Sequence, residues 1–262
     1  LARELFGVWA GLGALAALTV LFWHVMISSH VVRLNFALLL VALAGLAWAR
    51  AVRRGGTWRW VRAGAAAGLL AYSYFAAWGL LAFLLGGGLV LAVARPSLRR
   101  GVALAWLAAA LVVTPQAYYA LTHAGLFTTR SATVARFDIG TIAINVWAWL
   151  KAWWVQGDLD DHYNLAGRPV LGIVATLVLG VGVAAAIVEA WGSRRRPDGR
   201  LAGLVVLTAF GVALAPSLLT ADAPSYSRGA MAIVPLALLL GLALGRLGEW
   251  LKARWRRPMA PF

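Results

Sequence analysis

Residues 63–94 run for 32 positions without a charged side chain, and this stretch restricts the fold more than any other. As one helix it would be about 48 Å long at 1.5 Å per residue, well beyond a hydrocarbon core of about 30 Å. It begins after a basic run, 50–62, and ends at Arg95, Arg99 and Arg100. Short loops rich in Lys and Arg collect on one side of a membrane, so the chain must cross and return between them. The spacing predicts two short helices turning near Tyr72-Ser73-Tyr74-Phe75-Ala76-Ala77-Trp78. A break at Gly86-Gly87-Gly88 would leave a second half too short to span.

Further apolar runs at about 5–27, 34–49, 101–121, 170–190, 201–219 and 229–247 bring the expected count to eight. The fold class expected is therefore all-α integral membrane, one membrane domain over 1–262. With 62% hydrophobic residues and a mean hydropathy of +0.80, the chain is too apolar for a water-soluble domain, where about 45–50% is usual. Barrel strands would alternate in ten-residue segments, and no such pattern occurs. Eight spans with both ends cytoplasmic gather 18 of the 24 Lys and Arg residues on the cytoplasmic side. The formal charge of +15 is thereby read as topology, and nucleic acid is excluded as a partner. Loops 122–168 and 220–228 then lie outside a bacterial-type plasma membrane. With no cysteine, disulfides, thiolate metal sites and cysteine nucleophiles are excluded.

Gly7/Gly11, Gly64/Gly68 and Gly241/Gly245 have the GxxxG spacing that permits close helix contact. Pro115 is expected to kink the outer end of the 101–121 span. The chain starts at Leu1 with no signal-peptide pattern, and it is expected to be truncated at its front.

The polar residues concentrate in one stretch, Gly157-Asp158-Leu159-Asp160-Asp161-His162-Tyr163-Asn164-Leu165-Ala166-Gly167-Arg168-Pro169. Before it, residues 141–155 place Ile142, Val146, Trp149 and Trp153 at helical spacing. Four tryptophans in eight residues read as an interfacial helix along the headgroups. Asp158, Asp160 and Asp161 beside His162 suit a general base, a metal site or a phosphate neighbour; solvated loop acids are the competing reading. A divalent metal is possible but not favoured, because a site needs three converging ligands and no second histidine is near. Arg168 at the mouth of a span either snorkels to headgroups or clamps a phosphate through its donor fork. Arg228 has the same two readings, with Asp222 and Tyr226 close in sequence. Arg33 and His30 follow the first span and suit either lipid phosphate or generic headgroup contact. A packed, neutral state is the simpler reading of His24.

The turn with Arg33, the YSYFAAW hairpin, the tryptophan helix, the loop above and Leu214 to Pro235, LAPSLLTADAPSYSRGAMAIVP, together resemble a known family. It is the bacterial polyprenyl-phosphate-sugar-dependent glycosyltransferases, the protein-mannosyltransferase and aminoarabinose-transferase-like group (family 39-like) with the GT-C fold. The most specific parts are the loop and Ala223-Pro224-Ser225-Tyr226-Ser227-Arg228. His162-Tyr163 stands where relatives carry Arg-His, and Ala166 where they carry proline. The resemblance implies sugar transfer from a lipid phosphate to an extracytoplasmic acceptor, usually with inversion. It implies substrate contacts at Asp158, His162, Asn164, Arg168, Asp222, Tyr226, Arg228 and Arg33, membrane lipids as partners, and no certain cofactor beyond the lipid-phosphate sugar. The family's acidic pair has no counterpart upstream of Leu5, so the catalytic base is unassigned. A secondary transporter or lipid-carrier flippase subunit is the alternative, but the broken polar helices and inverted repeat it calls for are not evident.

Overall fold

The structure is a computed structural model, and it describes residues 1–30, 32–125, 135–192 and 197–255. Arg130, Arg194, Arg195, Arg196, Arg256, Arg257 and the His30 side chain, invoked in the charge argument or beside Arg33, lie outside the described residues. The helices are α1 (Ala2–Phe6), α2 (Val8–Val20), α3 (Phe22–His30), α4 (Val32–Arg54), α5 (Thr57–Leu69), α6 (Ala77–Ala94), α7 (Arg99–Thr122), α8 (Ile139–Ala152), α9 (Ile173–Gly192), α10 (Pro197–Leu218) and α11 (Ile233–Trp255). The described residues contain no strand, only an isolated bridge between Ala135 and Thr220.

Six helices are long and apolar enough to cross a membrane, and α2 with α3 makes a seventh if the bent pair is one span. The expected eighth is α5, which has 13 residues, about 20 Å at 1.5 Å per residue. The expected hairpin is present: α5 passes into a short 3₁₀ turn at Leu70–Tyr72, and α6 starts at Ala77 and runs unbroken through Gly86-Gly87-Gly88. What falls short is the length of its first arm: α5 starts at Thr57, ahead of the expected run at 63 and just after Gly55 and Gly56 at positive φ, and gives way to the 3₁₀ turn at Leu70. The other long runs hold, and α7 continues as helix through Pro115.

The first apolar run, expected as one span over 5–27, is broken into pieces. Gly7 at φ 99 separates α1 from α2, and Leu21 in extended conformation sets α3 at 60° to α2. In a straight helix the Leu18 carbonyl would take the Phe22 N–H; here it accepts from His24 Nδ1 at 3.0 Å. Trp23 and Ile27, both fully buried, then carry α3 into the main core.

The last span, α11, is the central helix: 78% of it is buried, against 22–39% of the other spans. Gly241 and Gly245 lie against Ala10 and Ala14 of α2, and Gly248 against Trp9, so the two helices run antiparallel in close contact. Gly64 meets the Ala105 carbonyl and Gly68 meets Ala109 and Val112, which seats α5 on α7. These small-residue faces pack helices within the chain. A second, smaller core surrounds Trp48 and Trp60, whose rings meet edge-on at 5.7 Å. Near it Arg54 pairs with Glu4 at 3.0 Å, while Arg246 pairs with Glu189 toward the C-terminal end of α11.

Candidate functional site

The end of the bundle that carries Trp23 is closed by α8 and two loops. Asp138 caps α8 by accepting the Thr141 N–H at 2.8 Å, and this hydrogen bond holds its carboxyl below the usual carboxylate range. α8 buries Asn145, Trp149 and Ala152, and Val146 is exposed, so the inward stripe differs from the one expected. Tryptophans occupy both faces of this helix, which blurs its sequence pattern. The Asn145 amide donates to the carbonyls of Leu218 and Thr220 at 2.8 and 2.7 Å, satisfying the open end of α10. Ser217 Oγ accepts from both the Trp149 indole and the Ser225 N–H, at 3.0 and 2.9 Å. The rings of Trp23, Trp149 and Tyr226 stack into one layer with centroids 5.3–6.0 Å apart. Trp23 also donates its indole N–H to the Tyr226 carbonyl at 3.2 Å.

Loop 157–169 lies against this layer and is closed on itself. Gly157 N–H donates to the Gly167 carbonyl at 3.0 Å, and Gly167 N–H returns to Asp158 O at 2.8 Å. Asn164, fully buried, donates through its amide to Asp158 O and Arg168 O at 2.7 and 2.9 Å. Asp158 Oδ1 accepts the Asp160 N–H at 3.0 Å, and Oδ2 accepts the Tyr226 N–H at 2.6 Å. The Tyr226 hydroxyl donates to Arg168 O at 2.9 Å, which completes a ring of hydrogen bonds joining the two loops. Gly157 lies so close to the Tyr226 hydroxyl and the Arg168 carbonyl that no Cβ fits there. Burial pushes the Asp158 carboxyl up, against the pull of the Tyr226 and Asp160 N–H groups. It also pushes the Tyr226 phenol up, so the phenol stays protonated and donating.

Arg168 leaves this ring toward a groove of about 580 Å³ and is, among the described residues, the only charged one lining it. The groove walls include Ala17, Leu21 and Phe22 at the bend, Val178 of α9 and Leu240 and Leu244 of α11. The Arg168 guanidinium stacks 3.9 Å above the Phe22 ring. Stacking holds the plane of the group while its N–H donors point outward from the plane's edge. The chemistry offered is a ring-stacked cation in the lining of an otherwise apolar groove, which suits an anionic head on an apolar tail.

The sequence candidates thus divide by position. Asp158, Asn164, Arg168 and Tyr226 form one hydrogen-bonded unit. Arg228 lies two residues beyond Tyr226, with Nη1 3.5 Å from Asp222 Oδ2. His162 is at the exposed tip, its Nδ1 3.3 Å from Asp160 and Asp161. These three side chains place ligand atoms within 4.8 Å of one another, all exposed, where water competes for any cation. Arg33 is exposed on the first turn of α4. Sequence reasoning missed Phe22, Trp23, Ser217 and Asn145; only Asn145, a polar residue one turn before Trp149, left a signal.

These features define an all-α, multi-pass membrane protein with a hydrogen-bonded loop layer at one end of its bundle. Compared with known protein families, curated proteins and solved structures, the chain matches none.

Proposed function

We propose that this chain binds a lipid phosphate as a GT-C-like membrane glycosyltransferase that moves a sugar from a polyprenyl-phosphate carrier to an extracytoplasmic acceptor. The observation that carries the reading is Arg168, stacked on Phe22 at the head of an apolar groove of about 580 Å³. The motif resemblance of loop 157–169 and the Ala223–Arg228 turn adds to it. In this reading the acceptor hydroxyl oxygen attacks the anomeric carbon and the bond from that carbon to the phosphate oxygen breaks. The leaving phosphate keeps the electron pair, and Arg168 and Arg228 offset its growing negative charge. The acceptor proton passes to a base that is unassigned.

The same reading puts the loop layer outside the cell and the basic turns inside. It lays α8 along the headgroups, with Trp147 and Trp154 facing outward, 62% and 50% exposed. The test is sugar transfer by the protein carrying Arg168→Ala and, separately, Arg228→Ala. Loss of one charge-assisted contact should lower turnover at least about tenfold in each. Unchanged turnover in both removes the phosphate assignment.

A further inference from the structure

The backbone of Arg168 is held unusually tightly for a residue whose side chain is exposed. Its N–H donates to Leu165 O at 2.7 Å. Its carbonyl oxygen accepts twice, from Asn164 Nδ2 and from the Tyr226 hydroxyl, both at 2.9 Å. The next residue, Pro169, has a fixed φ, and Val170 N–H is tied to Ala152 O at 2.8 Å. A side chain leaving such a backbone has only its own rotamers to search, and Phe22 restricts those by stacking. Of the restraints on this carbonyl, the phenol is the one that comes from the other loop. Tyr226 is fully buried between Trp23 and Trp149 and cannot swing away without breaking that layer.

We propose that the Tyr226 hydroxyl is a positioning group for phosphate recognition: through the Arg168 carbonyl it holds the Arg168 guanidinium at the head of the groove. The proposal rests on the reading of Arg168 as the phosphate anchor. It assigns Tyr226 a role through Arg168, with no contact of its own to the ligand. The same residue links both cations, since its hydroxyl fixes Arg168 while Arg228 follows it in the same turn. Preorganising a cation in this way removes part of the ordering cost of binding, so its loss appears as weaker affinity for the charged head alone. A purely structural role, satisfying a buried hydroxyl, would make no distinction between charged and uncharged ligands.

The experiment is a double-mutant cycle of Tyr226→Phe and Arg168→Ala on the purified full chain in detergent. Binding of a polyprenyl monophosphate and of the corresponding uncharged polyprenol is read by native mass spectrometry, with the unfolding midpoint recorded for each variant. Phenylalanine keeps the ring layer and the Asp158 contact to the backbone N–H, and removes only the donor to Arg168. The expected result is monophosphate binding weakened about three- to tenfold by Tyr226→Phe when Arg168 is present, and unchanged by it when residue 168 is alanine. Polyprenol binding is unaffected in all variants. If Arg168→Ala weakens monophosphate binding but Tyr226→Phe does not, or acts equally in both backgrounds, the positioning role is overturned while the anchor stands. If Arg168→Ala itself changes nothing, both fall.

Discussion

Replacing Gly157 by alanine should open the joint between the two loops without removing a charge. The added Cβ would occupy the space of the Tyr226 hydroxyl and the Arg168 carbonyl oxygen. Neither yields easily: the phenol ring is packed against two tryptophans, and the carbonyl is fixed by Asn164. Forcing an extra methyl into a packed site costs about 1–3 kcal/mol. Losing the Tyr226 to Arg168 hydrogen bond costs about 0.5–1.5 kcal/mol more. The joint should therefore weaken by roughly 1.5–4.5 kcal/mol, which is about 10- to 2,000-fold in its opening equilibrium. Hydrogen exchange reads this directly. The Tyr226 and Gly167 amides, bonded to Asp158 at 2.6 and 2.8 Å, should exchange faster by that factor, while amides in the middle of α11 keep their protection. Unchanged protection at both loop amides in Gly157→Ala would refute the close contact and the coupling argued from it.

Asp158 supplies a pH test. Its carboxyl is pushed above its ordinary value of 3.8, mainly by burial, so folding favours the protonated form. That contribution to stability is fully present below the unfolded value and is lost as pH rises through the folded one. The stability of the wild type relative to Asp158→Asn should therefore increase as pH is lowered from 7 toward 4, measured as unfolding midpoints in detergent; the opposite slope would contradict the assignment. Sidedness is open to labelling, because the chain has no cysteine. A single cysteine at Leu165 in the loop should react with an impermeant maleimide in intact cells, and one at Trp58, 73% exposed beside the basic turn, only after permeabilisation. Equal labelling of both in intact cells would reverse or dissolve the proposed orientation.

Features governed by length and charge were legible before the structure. The Tyr72 to Trp78 turn followed from a run too long for one crossing and too basic at both ends for any odd number. The length of α5 was not legible: the helix starts at Thr57, inside the basic run that reads as a loop, and ends at Leu69, where no proline or charge marks the change to a 3₁₀ turn. The bend at Leu21 left no trace, since no proline lies within 5–27. At the site, Arg168 stood out as a charge at the mouth of a span and Tyr226 through the family resemblance of the Ala223–Arg228 turn, and a hydrogen bond joins the two. Asp158 was picked out from the cluster of acids beside His162 and Asn164 from the resemblance of the loop, yet their hydrogen bonds go to backbone groups of the chain itself. A polar side chain that serves a ligand and one that serves a loop look alike in a sequence, because both exist to satisfy a partner that folding supplies.

The bend between α2 and α3 has a further consequence. It contains neither proline nor glycine at its vertex, and it is maintained from outside: His24 holds the Leu18 carbonyl, and Trp23 is tethered to the Tyr226 carbonyl in the loop layer. The same segment is one wall of the Arg168 groove. The shape of the groove is thus a borrowed property: one of its walls keeps its angle through contacts with the loops at the end of the bundle.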